Sequence, residues 1–170
     1  MSEVMIRIET ANDIDAIREI NIEAFRSHPF SQQTEHLIVD ALRAADALYV
    51  SLVAITQGRV IGHIAFSEAR LDDSATGWFL LGPVAVLPAF QGQGTGSALV
   101  ESGLERLREG GARGCVLVGD AAFYGRFGFG TFPGLEYDGV PHEHVLALPL
   151  ENVVPCGLIR AHEAFEIEPG

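Results

Sequence analysis

The chain has 170 residues, 48% hydrophobic and 20% charged, a composition that suits a folded domain with a substantial core and excludes a disordered segment. A formal net charge of −12 speaks against nucleic acid or an anionic membrane as the main partner. Two cysteines, Cys115 and Cys156, are too few for a disulfide framework, the N-terminus has no basic-then-apolar leader, and no apolar run nears the ~20 residues of a membrane span, so a reduced, cytoplasmic setting is expected.

Val4 to Ile8 alternates apolar and polar residues and predicts a first strand. Thr10-Ala11-Asn12-Asp13 places a carboxylate three residues after a hydroxyl, a capping-box start. The helix it opens carries Ile14, Ile17 and Asn21 or Phe25 on one face and runs to about Ala24. Ser27-His28-Pro29-Phe30-Ser31 breaks it, and a second helix covers Gln33 to Ala44. Leu48 to Ile55 and Val60 to Ser67 read as a hairpin about Gln57-Gly58, with a loop at Asp72-Asp73-Ser74. Trp78 to Val86 is almost wholly apolar, as a strand buried on both faces near the sheet centre would be. Gly82-Pro83 interrupts it, and proline has no N–H for the ladder, so a bulge or a splayed strand is expected there.

Leu99, Gly103, Leu104 and Leu107 then mark a helix face that ends at Gly110-Gly111. Cys115 to Val118 predicts a short buried strand with a buried thiol, and Ala121 to Arg126 a short helix. Strands near Thr131–Tyr137 and His144–Leu150 complete the pattern as a final hairpin; the tail from Glu151 carries Pro155 and Gly157 and has no assignment. The order β-α-α-β-β-β-α-β-α-β-β predicts a mixed α/β domain over residues 1–170, with its core at about 4–150. An antiparallel meander comes first and one β-α-β crossover follows.

The chemistry is concentrated between Leu81 and Ser97, where an apolar strand gives way to glycines and then to a helix. Strand, glycine loop and helix N-terminus together present backbone N–H groups to a phosphate. A Walker loop would need Gly-Lys-Ser/Thr at its end, and no lysine stands there. The dinucleotide fingerprint needs Gly-x-Gly-x-x-Gly, whereas Gly92, Gly94 and Gly96 are spaced by two throughout and Ser97 stands where the third glycine belongs. What remains is Gln91-x-x-Gly94-x-Gly96, in which Gly92, Gln93, Gly94, Thr95, Gly96 and Ser97 offer amides to a pyrophosphate. The bland alternative is a glycine-rich turn with no ligand.

Val84-x-Val86, then Gln91-x-x-Gly94-x-Gly96, then Phe123-Tyr124-x-x-Phe127-Gly128-Phe129 resembles the GNAT superfamily of acetyl-CoA-dependent N-acetyltransferases, and within it the bacterial YhbS-like subgroup. The likeness in element order runs from Val4 to Leu150. It implies a GNAT-type fold with splayed central strands, acetyl-CoA as cosubstrate with no metal, and direct acetyl transfer to an amine of a small molecule or protein. Carried over residue by residue, the backbone of Val84, Ala85 and Val86 would pair with the pantetheine arm, and the Val84 N–H would polarise the thioester carbonyl. Gln91 to Ser97 would hold the pyrophosphate, and Asp120, Phe123, Tyr124 and Phe127 would complete the cofactor site. Tyr124 sits where the family places the acid that protonates the departing thiolate.

Many relatives carry a base on the fourth strand, but Trp78 to Val86 contains no titratable side chain. Glu35, His63, Glu68 and Asp120 are the candidates, each with a plainer role as a solvated helix residue, a sheet residue or a helix cap, and a water relay is an equal alternative. Arg106, Arg108, Arg113 and Arg126 are candidates for the 3′-phosphate, and each has an ordinary solvated alternative. His142-x-His144 lacks a third ligand and reads as a surface hairpin better than as a metal pair. The absent strand carboxylate leaves a catalytically silent acyl-CoA sensor as the alternative function. The acceptor loop offers His28, Phe30, Gln32 and Gln33, which select no amine, and a homodimer stays open.

Overall fold

The computed structural model describes residues 3–29, 31–72 and 75–168, so Phe30, Asp73 and Ser74 of the sequence reading lie outside the described residues. The elements are β1 (Met5–Ile8), α1 (Ile14–Phe25), α2 (Glu35–Ala44), β2 (Val50–Thr56), β3 (Arg59–Leu71), β4 (Ala75–Val86), α3 (Thr95–Glu109), β5 (Gly114–Val118), α4 (Ala121–Tyr124), β6 (Leu135–Glu136), β7 (Val145–Pro149) and β8 (Gly157–Arg160). Strands pair in the order β1-β2-β3-β4-β5-β7, with β8 against β3 and β6. This is the expected mixed α/β fold with a mostly antiparallel sheet. Among the described residues no helix is long and apolar enough to cross a membrane.

The chain forms two compact units, Met1–Phe66 with Gly82–Gly103 and Glu163–Gly170, and Ser67–Leu81 with Leu104–His162. In the first, Thr10 N–H donates to the Asp13 carboxylate at 2.7 Å, so the capping box forms, and a short 3-10 turn at Ala11–Asp13 leads into α1. β1, β2 and β3 are an antiparallel meander, and Thr56 faces Arg59 across the two-residue turn. Gln57 and Gly58 both take positive φ there (52° and 74°), as a turn matching the strand twist requires.

Side chains alternate across β3, and the two helical layers of this unit follow from that. Gly62 and Phe66 face α3. A Cβ at Gly103 would fall 2.2 Å from the Phe66 ring, so the missing side chain on the helix is what lets the ring in. His63 faces the other way and is fully buried. It lies 3.4 Å from the Asn21 amide of α1 and 2.8 Å from the Ser51 hydroxyl of β2. The same hydroxyl donates to Glu9, which Arg43 of α2 holds at 2.9 Å, so one polar string ties both N-terminal helices to the sheet. Ile17, Val39 and Val53 fill the space around it.

In the second unit β4 and β5 are parallel and pair from Trp78–Gly114 to Leu80–Val116. The pairing ends two residues before Gly82-Pro83, the point the proline marks for a departure from the ladder. Cys115, Val116 and Leu117 are buried, with β7 antiparallel on the far side of β5. The expected final hairpin does not form. Of Thr131–Tyr137 only Leu135–Glu136 is strand, and it pairs in parallel with β8. β7 pairs with β5 instead, touched from residue 130 by a single bridge, Gly130 to Ala147. The tail thus gains a role: β8 pairs with β3 and β6, and Ala164 from the last turn packs on Ile38 and Leu42 in the first unit.

Burial, and then the Arg43 guanidinium, lower the His63 pKa from 6.5 to about 3. Between those two values the unfolded chain binds a proton that the folded chain refuses. Stability therefore falls as pH drops below about 6.5, with a slope of up to about 1.4 kcal/mol per pH unit. Chemical unfolding measured from pH 6 down to 4.5 is expected to show this slope, and His63→Gln is expected to flatten it. An equal slope in the variant would contradict the buried neutral imidazole.

Candidate active site

β4 delivers the backbone of Val84, Ala85 and Val86 to the edge of a turn that begins at Leu87, whose N–H donates to Ile61 O at 2.9 Å. Pro88–Phe90 makes one 3-10 turn, and the Gln91 side-chain amide reaches back to Val86 O at 2.9 Å. Gln91, expected to touch the cofactor, here braces the loop against the end of its own strand. Gly92 and Gly94 take φ of 77° and 86°, which L residues rarely adopt, and a Cβ built on either meets nothing within 4 Å. The loop is thus both glycine-dependent and open.

Helix α3 starts from it. Ala98 N–H donates to Gly94 O at 3.0 Å, the first helical bond, which leaves the amides of Thr95, Gly96 and Ser97 directed out of the helix end. Thr95 is buried and so pins the first turn. Free amides, a helix dipole and open space above two glycines fit a pyrophosphate by local geometry. Arg106, Arg108, Arg113 and Arg126 are all exposed, and the Arg126 guanidinium lies 4.7 Å over the Phe123 ring.

The second unit carries the aromatic segment. Asp120 is the N-cap of α4 and accepts from the Ala122 N–H at 2.9 Å, the helix-cap role weighed for it. The Tyr124 ring stands edge-on to Phe123 (4.9 Å) and Phe129 (5.9 Å) and tilted to Phe127 (6.5 Å). Burial first, and then the Cys115 thiol, push the Tyr124 hydroxyl from 10.0 up to about 12. It therefore keeps its proton throughout the neutral range. Cys115 is itself fully buried, and burial drives its thiol far above the usual range, so no nucleophilic thiolate forms there.

Each base candidate has its own local setting. Glu35 opens α2 and accepts from the Ser31 hydroxyl at 2.7 Å. His63 is sealed in the interior, with its pKa lowered to about 3, which removes it as a base. Glu68 is exposed on β3. Among the described residues no three His, Cys, Asp or Glu side chains gather as metal ligands; His142 bonds Phe132 O at 3.0 Å and His144 bonds Gly119 O at 3.2 Å. The residues sequence reading missed are this Gly119–His144 pair. A glycine at a strand end has many explanations, and only the position of Tyr124 selects one.

An open glycine turn at the start of α3, with helix-end amides free to meet a phosphate, is the kind of local feature a phosphate-bearing cofactor requires. The acetyltransferase (GNAT) family model matches residues 14–129, and the chain belongs to that family. It is 34% identical over 172 aligned residues to the uncharacterised N-acetyltransferase YhbS of Escherichia coli K12, covering 95% of this chain and 98% of the relative. Among solved structures it is similar to a GNAT family acetyltransferase from Brucella melitensis in complex with acetyl-CoA (45% identity, TM-score 0.86, 96% and 98% of the two chains). It is similar also to Escherichia coli YhbS in complex with CoA (31% identity, TM-score 0.84, 98% and 94%).

The tyrosinate absorbance that Tyr124→Phe removes is expected to rise with a midpoint of about 12 in an alkaline titration. A midpoint near 10, the ordinary phenol value, would place the hydroxyl in water and contradict the burial described.

Proposed function

We propose that residues 1–170 form one N-acetyltransferase domain that transfers the acetyl group of acetyl-CoA directly to a primary amine of a small molecule or a protein. The observation that supports it most is the open Gly92–Ser97 turn at the start of α3 in a chain of net charge −12. When bound, acetyl-CoA supplies an acetyl group on a thioester and a thiolate leaving group. Gly92 to Ser97 hold the pyrophosphate through backbone N–H groups. Val84, Ala85 and Val86 align the pantetheine arm, and the Val84 N–H donates to the thioester carbonyl as it gains charge, a contact worth roughly 3–4 kcal/mol. Tyr124 gives its proton to the departing sulfur, and Asp120, Phe123 and Phe127 keep that tyrosine and the arm in place.

A lysine-like amine, with a reference pKa of ~10.4, arrives protonated and must lose a proton before it attacks. Glu35 is the carboxylate assigned to take it, held by the Ser31 hydroxyl. The acidic surface suits a cationic acceptor.

The test pairs two measurements: CoA binding by calorimetry, and CoA thiol release over a panel of small amines and lysine peptides. All 11 of the chain's Lys and Arg positions are arginine, so acetyl-lysine detected in the assay cannot come from the enzyme itself. We expect turnover on at least one amine, and a loss of kcat on the order of 100-fold in Tyr124→Phe with CoA affinity kept. CoA binding with no turnover on any amine would overturn the enzyme reading and leave an acyl-CoA sensor.

A further inference from the structure

We propose that Gly119 is the positioning residue for Tyr124: it is glycine because the phenol ring occupies the place of its side chain. The inference rests on Tyr124 as the proton donor of the reaction. Gly119 does not take a positive φ, so backbone freedom is not what the position needs. A Cβ there would stand 2.7 Å from Tyr124 Cε2, 3.0 Å from its Cδ2 and 3.0 Å from Leu117 Cδ1. The first of these is closer than real Cβ atoms come, so a single methyl group must displace the ring.

Neither side of that contact can yield easily. The half-buried ring is flanked by Phe123, Phe127 and Phe129 at centroid distances of 4.9, 6.5 and 5.9 Å. The backbone of Gly119 is held at both of its polar groups by one residue, His144. Gly119 N–H donates to His144 O at 2.9 Å, and the His144 ring donates through Nδ1 to Gly119 O at 3.2 Å. A carbonyl oxygen only accepts, so this bond also sets the proton on Nδ1. On the other flank, Tyr124 N–H donates to Asp120 O at 3.0 Å and Asp120 caps α4. The seat of the ring and the anchor of its side chain are thereby joined in one short closed loop. The direction of the Tyr124 O–H is set by the absence of an atom at residue 119 and by the histidine that keeps residue 119 from retreating.

The test is a double-mutant cycle on acetyl transfer with Gly119→Ala, Tyr124→Phe and both together. Gly119→Ala is expected to lower kcat about tenfold or more with the KM for acetyl-CoA within about twofold, and the pair to be no slower than Tyr124→Phe alone. In the same variant the tyrosinate midpoint should fall from about 12 toward the ordinary value as the ring is pushed toward solvent. Losses that multiply, or a wild-type kcat in Gly119→Ala beside a slow Tyr124→Phe, would overturn the positioning role and leave the acid role standing. A wild-type kcat in Tyr124→Phe would overturn the acid role itself. His144→Ala keeps the question answerable if Gly119→Ala does not fold. It removes the ring's bond to Gly119 O, together with an exposed 3.8 Å contact of its Nε2 with Glu143, and keeps the backbone bond from Gly119 N–H, so a kcat loss that disappears in the Tyr124→Phe background supports the inference and an unchanged kcat overturns it.

Discussion

A chain with a net charge of −12 repels a polyphosphate at long range, so any hold on one must come from dipoles a few ångströms away. That constraint organises the segment from β4 to α3. Amides can be aimed at one point only where the backbone turns sharply, and the positive φ values of Gly92 and Gly94 produce such a turn. The turn in turn needs a rigid base. Gln91 supplies one side of it by bonding Val86 O, and the buried Thr95 supplies the other. The apolar strand behind them is buried on both faces from Trp78 to Leu81, and Ala85 anchors its end while Val84 and Val86 stay half-exposed. Each part has an independent physical reason, and together they form the turn to which the proposed function assigns the pyrophosphate.

In the proposed reaction the second unit has a different task, that of keeping a proton on a phenol. Burial raises the Tyr124 hydroxyl to about 12, which secures the donor but makes it a weaker acid than a free phenol. A buried thiolate is destabilised in the same way, since desolvation penalises either anion. In the proposed site the proton match between phenol and departing thiolate would therefore survive although both values move. Packing adds orientation, since three aromatic rings and the Cβ-less Gly119 border the phenol ring.

Much of this was legible in the residues because it is local. The Gln57-Gly58 turn, the Thr10–Asp13 capping box and the glycine spacing before α3 each follow from dihedral or hydrogen-bond rules acting over a few residues. The family likeness rests on the same local segments. The final hairpin misled because Thr131–Tyr137 looks like a strand while Pro133 and Gly134 break it, and because a pairing partner is a tertiary choice. β8 is only four residues, Gly157–Arg160, and takes its place by pairing with β3 and β6 rather than by its own propensity. His63 was legible only as a titratable residue on a strand. That Asn21, Ser51 and Arg43 converge on it is invisible to periodicity. Gly119 was likewise silent, because its role is the space it leaves.

The central claim, that Gly92–Ser97 holds the pyrophosphate of CoA, is tested most directly by comparing the affinities of CoA and of pantetheine, which has no phosphate, for the native protein and for Gly94→Ala. The substitution strains a φ of 86° and sets a methyl group in the open space above the loop. The account predicts that CoA binding weakens by about tenfold or more, that pantetheine binding is unchanged, and that the gap between the two ligands closes accordingly. An undiminished gap would contradict it.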